Sequence, residues 1–228
     1  MAPQARPRIG VSWIAPADAD THDLIRAVRS AGGEPVPLLT NSVSWASDFL
    51  SLRGLVLSGG NAVDPRRYGQ VNEGLCRTVI PERDALEFEA VQFCRDRGSP
   101  ILGICRGHQF LNVSCGGSML QDLTITTVEH EAKGEDSVFH VIEIAPGTWL
   151  SGIAHAGRLR VNIRHHQGLR AEHVSPTLRV SAMAPDGVVE GIEAVDGRFL
   201  VGIQFHPERA GEVPEAAGIF AALVEAAQ

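Results

Sequence analysis

The chain has 228 residues, 44% of them hydrophobic and 21% charged, with a formal net charge of −7 at pH 7. These proportions fit one large α/β domain over residues 1–228, able to bury a core without disulfide staples. The acidic balance argues against nucleic acid or an anionic membrane as the main partner, and no apolar run approaches the length of a membrane span.

The first residues, "MAPQARPRIGVSW", lack an apolar h-region and a cleavage site, so no signal peptide is expected. "RIGVSWI" (8–14) reads as a first strand. "THDLIRAVRSAGG" (21–33) reads as a helix capped by Thr21, with Leu24, Ile25 and Val28 on its apolar face and Gly32-Gly33 as its stop. "EPVPLL" reads as a short strand whose prolines place it at an edge. "LRGLVLSGG" (52–60) is an apolar strand running into glycines. Residues 81–98 form a helix with Pro81 near its start, acids in its first turn and Gly98 at its end. "PILGIC" is the next strand, and "RGHQFLNVSCGG" the helix after it.

Strands alternating with helices, several of them apolar throughout, imply a parallel sheet covered on both faces. The second half differs. "FHVIEIA", "RLRVNI", "LRVSAMA", "VVEGIEA" and "FLVGIQF" are strand-like runs with few helices between them, so a partly antiparallel extension is expected. A helix over "EVPEAAGIFAALVEAAQ" closes the chain. The cysteines (Cys76, Cys94, Cys105, Cys115) show no CxxC pair and no zinc-like spacing. They are expected as reduced thiols of a cytoplasmic protein, with Cys94 and Cys115 as small core residues.

Cys105 is different. Gly103-Ile104-Cys105-Arg106-Gly107 lies between a buried strand and a helix, the layout of a nucleophile elbow. The glycines let neighbouring backbone pass close to a tight turn. The thiol then projects at the carboxyl edge of the sheet, at the positive end of a helix dipole that favours the reactive thiolate form. The backbone N–H of Arg106 is a candidate oxyanion donor. An inert core thiol with incidental glycines is the plain alternative.

A thiol nucleophile needs a base and an orienting group. "VGIQFHPE" (201–208) supplies both: His206 follows a strand on the same sheet edge, and Glu208 can hold one imidazole nitrogen. A surface His-Pro turn is the alternative there. A second oxyanion donor is expected from Gly60 in "LVLSGGNAVDP". No phosphate-binding Gly-x-x-x-x-Gly-Lys or Gly-x-Gly-x-x-Gly occurs.

Together, "LVLSGG", "ILGICRGHQFLNVSCGG" and "VGIQFHPE", in that order, resemble the class I glutamine amidotransferase family. Arg106 after the cysteine, "GGSMLQDL", "VNIRHHQGL" (161–169) and "APDGVVEGIEA" (184–194) resemble its free-standing γ-glutamyl hydrolase branch, of the γ-glutamyl-γ-aminobutyrate hydrolase type. The resemblance implies a flavodoxin-like three-layer sandwich, with a mostly parallel central sheet and a smaller antiparallel extension. It implies a Cys105–His206–Glu208 triad that hydrolyses a small γ-glutamyl amide through a γ-glutamyl thioester, with no cofactor. It also implies that Gln109 contacts the glutamyl part and that His165, His166 and Gln167 face the same pocket.

Two departures stand out: Ile163 where relatives often carry serine, and Asn61-Ala62 in place of a more glycine- and acid-rich loop, which makes Asn61 a candidate for shaping the site. Arg66, Arg67 and Tyr68 are candidates for the leaving-group half of the pocket or for solvent. His130, His140 and His155 match no metal-ligand spacing, so no metal site is expected. A glutaminase subunit serving a separate synthetase, and an inactive binding relative, are the rival readings. A homodimer is left open.

Overall fold

The computed structural model describes residues 5–13, 19–40, 49–123, 126–131, 136–209 and 211–228. Nine strands form one sheet: β1 (Arg8–Trp13), β2 (Glu34–Leu39), β3 (Gly54–Leu57), β4 (Ile101–Ile104), β5 (Val138–Ile144), β6 (Arg158–Ile163), β7 (Leu178–Met183), β8 (Val189–Ala194) and β9 (Leu200–Ile203). Their order is β2-β1-β3-β4-β9-β8-β7-β5-β6. The first five in that order pair in parallel, and the remaining pairings are antiparallel. This is the expected sandwich with its antiparallel extension. β3, β4 and β9 are buried at every position, which is why they read as unbroken apolar runs.

Among the described residues five α-helices cover the sheet: α1 (Ala19–Ser30), α2 (Pro81–Arg97), α3 (Arg106–Ser114), α4 (Trp149–Ala154) and α5 (Ile219–Ala226). Leu24 and Val28 of α1, Leu150 of α4 and Ile219, Phe220 and Leu223 of α5 pack on one face with Ile9, Val11 and Val201. Leu86, Ala90 and Val91 of α2 and Phe110 and Leu111 of α3 pack on the other with Leu55, Leu57 and Ile101. Cys94 is fully buried in that second core, and Cys115 lies half-buried against it. All four cysteines are free thiols.

The chain leaves β1 for β2 on one side and returns to β3 on the other, so a topological switch lies at the carboxyl edge beside β3. Register then sets the site. β4 lies between β3 and β9, with Leu57 opposite Gly103 and Ile104 opposite Ile203. Cys105 N–H donates to Ile203 O at 2.9 Å. The loops after the three strands therefore open at one level.

Two local readings are corrected, one lies outside the described residues and one helix is added. Helix α1 begins at Ala19, so Thr21 lies within it and is not its cap. Ile14, read as the end of β1, lies outside the described residues. The C-terminal helix starts only at Ile219, because Pro214–Ala216 forms a separate 3₁₀ turn and Gly218 packs close against Ile153. α4 had no counterpart in the sequence reading. It is too short for a periodic signal and is nucleated by a capping box between Thr148 and Ser151. The prolines of β2 are borne out, since β2 is the edge strand.

The closest packing lies beneath the elbow. A Cβ on Gly107 would come within 2.1 Å of Leu57 O, and one on Gly103 within 2.4 Å of Gly107 O. Gly107→Ala is expected to lower unfolding free energy by about 3 kcal/mol or more, read by urea denaturation, because backbone cannot yield as a side chain does. Gly152→Ala, in α4 with nothing within 4 Å of its added Cβ, is the control and should be neutral or stabilising by up to about 1 kcal/mol.

Candidate active site

Cys105 forms the cap of α3 with φ 54° and ψ −108°, a conformation that L residues avoid. Strain of that kind costs of order 1–3 kcal/mol and persists only where the surroundings over-determine it. Here the Gly103 and Gly107 contacts and the Ile203 hydrogen bond do so. The thiol is 8% exposed.

His206 follows β9 on the same edge. Its Nδ1 lies 2.6 Å from Glu208 Oε1, and its ring is hydrogen-bonded to the Cys105 thiol. With Nδ1 committed to Glu208, Nε2 is the nitrogen left for the sulfur. Burial disfavours the imidazolium, but the charges of Glu208 and Cys105 outweigh it and hold His206 well above its ordinary value. Asn162 of β6 fixes the His206 main chain from both sides. It accepts from His206 N–H at 2.8 Å and donates to His206 O at 2.9 Å and to Glu212 at 2.8 Å.

The loop after β3 brings Gly59 and Gly60 against the thiol. A Cβ on Gly59 would sit 3.3 Å from His206 Cε1 and 3.6 Å from Cys105 Cβ. Gly60 has φ 128°, and a Cβ there would strike Arg83 Nη1 at 2.6 Å. Arg83 holds this loop by donating to Ser58 O (3.0 Å), Ser58 Oγ (2.9 Å) and Gly59 O (2.9 Å). Its Nε donates to Glu87 at 2.8 Å. Glu87 also pairs with Arg106 and accepts from Ser12 Oγ at 2.6 Å, and Arg106 pairs with Asp84. All four charged side chains are at most 2% exposed. Burial opposes ionisation of Glu87, yet Arg106 and Arg83 keep its carboxyl below the usual value.

Gly60, Asn61, Cys105, Arg106, Gln109 and His166 line one pocket of about 170 Å³, with Arg77, Thr78 and Arg164 on its rim. It is smaller than the roughly 300–1,000 Å³ of pockets for drug-sized ligands, so it suits one small group. Gln109 donates to Gln167 O and Gln204 Oε1, both at 3.0 Å.

The loop expected to face substrate is divided. His166 is half-buried with Nε2 unpartnered. The Gln167 amide instead donates to Gln121 O at 3.0 Å and reaches Cys76 Sγ. His165 touches the pocket edge, but its ring nitrogens meet Gln167 O (2.8 Å) and Glu190 (3.5 Å). Ile163 is fully buried in the core and offers no polar contact. Arg66, Arg67 and Tyr68 stay outside the pocket: Arg66 pairs with Asp64, Arg67 lies over Phe88, and Tyr68 lies 3.9 Å from Cys76 Sγ. Asn162, Arg83, Asp84, Glu87, Arg77 and Arg164 had no place in the sequence reading of the site. The one available signal was three charged residues, Arg83, Asp84 and Glu87, at i, i+1 and i+4 on α2.

The profile of the Peptidase C26 family matches residues 11–208. Protein NtpR of Enterococcus hirae is 36% identical over 191 residues, 81% of this chain and 79% of that protein. The γ-glutamyl-γ-aminobutyrate hydrolase PuuD of Escherichia coli K12 is 34% identical over 197 residues, 81% and 76% of the two chains. Among solved structures, the glutaminase domain of Trypanosoma brucei CTPS with bound acivicin superposes with a TM-score of 0.67 at 15% identity, covering 97% of this chain and 93% of that one, a likeness of fold. With the profile spanning the elbow, the glycine loop and the His206–Glu208 turn, this chain belongs to the Peptidase C26 family of class I glutamine amidotransferase-like hydrolases.

Proposed function

We propose that the protein is a cysteine hydrolase that cleaves the γ-glutamyl amide bond of a small γ-glutamyl compound, γ-glutamyl-γ-aminobutyrate or a similar amine, to glutamate and the free amine. One observation carries the reading: a thiol on a strained elbow lines a small pocket together with a glycine loop, and a Glu-oriented imidazole stands beside that thiol.

Cys105 passes its proton to His206 Nε2, and its sulfur attacks the γ-carbonyl carbon. The carbonyl oxygen takes up negative charge and receives the backbone N–H groups of Gly60 and Arg106. His206 returns the proton to the departing nitrogen, the C–N bond breaks, and a γ-glutamyl thioester remains on Cys105. Water then gives His206 a proton and attacks the thioester carbon. The C–S bond breaks, glutamate leaves, and the sulfur regains the proton. Glu208 keeps His206 in the required tautomer throughout. Gln109, His166 and Asn61 are placed to meet the glutamyl group.

Arg77 and Arg164 on the rim favour a leaving amine that itself carries a carboxylate over a purely cationic polyamine. The free thiols fit a reducing, cytoplasmic setting.

The reading is tested by glutamate release from a panel of γ-glutamyl amides and free glutamine, with Cys105→Ala beside the unmutated chain. Release from a γ-glutamyl amide, glutamine left nearly untouched and activity lost in Cys105→Ala, is expected. No release from any amide would overturn it. Arg77→Ala should raise KM about tenfold for a substrate with a carboxylate on its amine and leave one without it unchanged, as loss of one charge-assisted hydrogen bond requires.

The raised His206 value has a sign. Stabilisation by its protonation is complete below the unfolded histidine value near 6.5 and disappears as pH rises through the folded value. NMR titration of the His206 ring should give a midpoint well above 6.5, falling in both Glu208→Gln and Cys105→Ala.

A further inference from the structure

Behind the pocket wall, four side chains far apart in sequence converge. His130 precedes β5, His140 lies in β5, His165 follows β6, and Glu190 lies in β8. Their exposures are 3%, 8%, 5% and 0%. His130 Nδ1, His140 Nε2 and His165 Nε2 each stand 3.5 Å from Glu190 Oε1. All three nitrogens and both Glu190 oxygens lack a hydrogen-bond partner. One ligand atom each from His130, His140 and Glu190 lie within 4.8 Å of one another. At this depth, unmatched polar atoms are costly unless something binds them.

The outward nitrogens decide what that is. His165 Nδ1 lies 2.8 Å from Gln167 O, and a carbonyl only accepts, so Nδ1 carries the proton. His130 Nε2 lies 2.9 Å from an Asp186 carboxylate oxygen, which again places the proton outward. In the neutral rings, His130 Nδ1 and His165 Nε2 thus turn lone pairs toward a carboxylate, an arrangement that repels unless a cation lies between. Outward donation to a carboxylate or carbonyl, with the bare nitrogen inward, is the support found behind metal-ligating histidines. Ligands about 2.1 Å from a tetrahedral zinc ion stand about 3.4 Å apart, close to the 3.5 Å from Glu190 Oε1 to each of the three nitrogens. His130, His140 and Glu190 form the tight group, and His165, outside it, is the ligand that has to shift inward.

We propose that His130, His140 and Glu190, with His165 as fourth ligand, bind a divalent transition metal of the zinc class. Three imidazoles and one carboxylate suit Zn²⁺ and exclude the oxygen-seeking Mg²⁺ and Ca²⁺ as preferred occupants. A second cavity supplies the approach: His130 and His165 line it together with Asp122, Glu129 and Glu131, three carboxylates against the one guanidinium of Arg77, a balance that attracts a cation. The metal would join the segment before β5, β5 itself, β8 and the loop carrying His166, and so stiffen the wall of the active-site pocket. It has no part in the acyl transfer.

The test is Zn²⁺ titration of the metal-stripped full chain by calorimetry, with metal content read after gel filtration. It is run in the unmutated protein and in Cys105→Ala, because a thiol–imidazole pair is itself a zinc trap. One equivalent bound in both, with a Zn²⁺-dependent rise in Tm, is expected. Adding Glu190→Gln or His140→Gln to Cys105→Ala should weaken binding by about 100-fold or more. If those variants do not fold, Co²⁺ with the unmutated chain decides: tetrahedral visible bands without a thiolate charge-transfer band are expected. No stoichiometric binding, binding lost with Cys105 alone, binding indifferent to Glu190 and His140, or a Co²⁺–thiolate spectrum would each overturn the proposal.

Discussion

The active-site architecture depends on one buried set of charges. Arg106 follows the nucleophile, and its side chain runs inward to Asp84 and Glu87. Glu87 is held in turn by Arg83, which clamps the carbonyls of Ser58 and Gly59. Buried ion pairs of this kind contribute little net stability, since desolvation offsets most of the attraction. Their effect here is geometric. They tie the elbow, the glycine loop and α2 into one unit. Removing one partner would leave an uncompensated charge at zero exposure, so the set stands or falls together.

Two residue choices follow from that set. Gly60 has to be glycine twice over, for its φ of 128° and because Arg83 occupies the place of its Cβ. Arg106 is used at both ends: its guanidinium belongs to the clamp, with the Phe110 ring 5.1 Å from Cζ, and its backbone N–H is the oxyanion donor of the proposed mechanism. Lysine could not make two divergent pairs from a point charge. On the opposite side, Asn162 does for His206 what Arg83 does for the glycine loop, so each half of the constellation is anchored through main-chain atoms.

What could be read in the sequence was what local pattern encodes. Apolar runs ending in glycine exposed β3 and β4, Pro35 and Pro37 marked β2 as an edge, and Gly-x-Cys-x-Gly and His-Pro-Glu located the reactive groups because strand, turn and side chain are contiguous. The supports were invisible because they are long-range. Asn162 lies 44 residues from His206, and Arg106 lies 19 from Glu87. Asp84 was read only as one of the acids that suit a helix N-terminus, and nothing local marks it or Glu87 as fully buried. His130, His140 and His165 likewise carry no spacing signal, since three separate segments of the extension bring them to Glu190. His165 and His166 both line the pocket, but the His165 ring is also engaged with Gln167 O and Glu190, a long-range tie that no sequence pattern announces.

The central claim is that Cys105 attacks a γ-glutamyl carbonyl in this pocket. Its most direct test is acid quench of the protein during turnover with γ-glutamyl-γ-aminobutyrate, followed by proteolysis and peptide mass spectrometry. The account predicts a hydroxylamine-sensitive γ-glutamyl adduct on the peptide that carries Cys105 and on no other cysteine. Turnover of the unmutated protein with no adduct at Cys105, or an adduct on Cys76 instead, would contradict it.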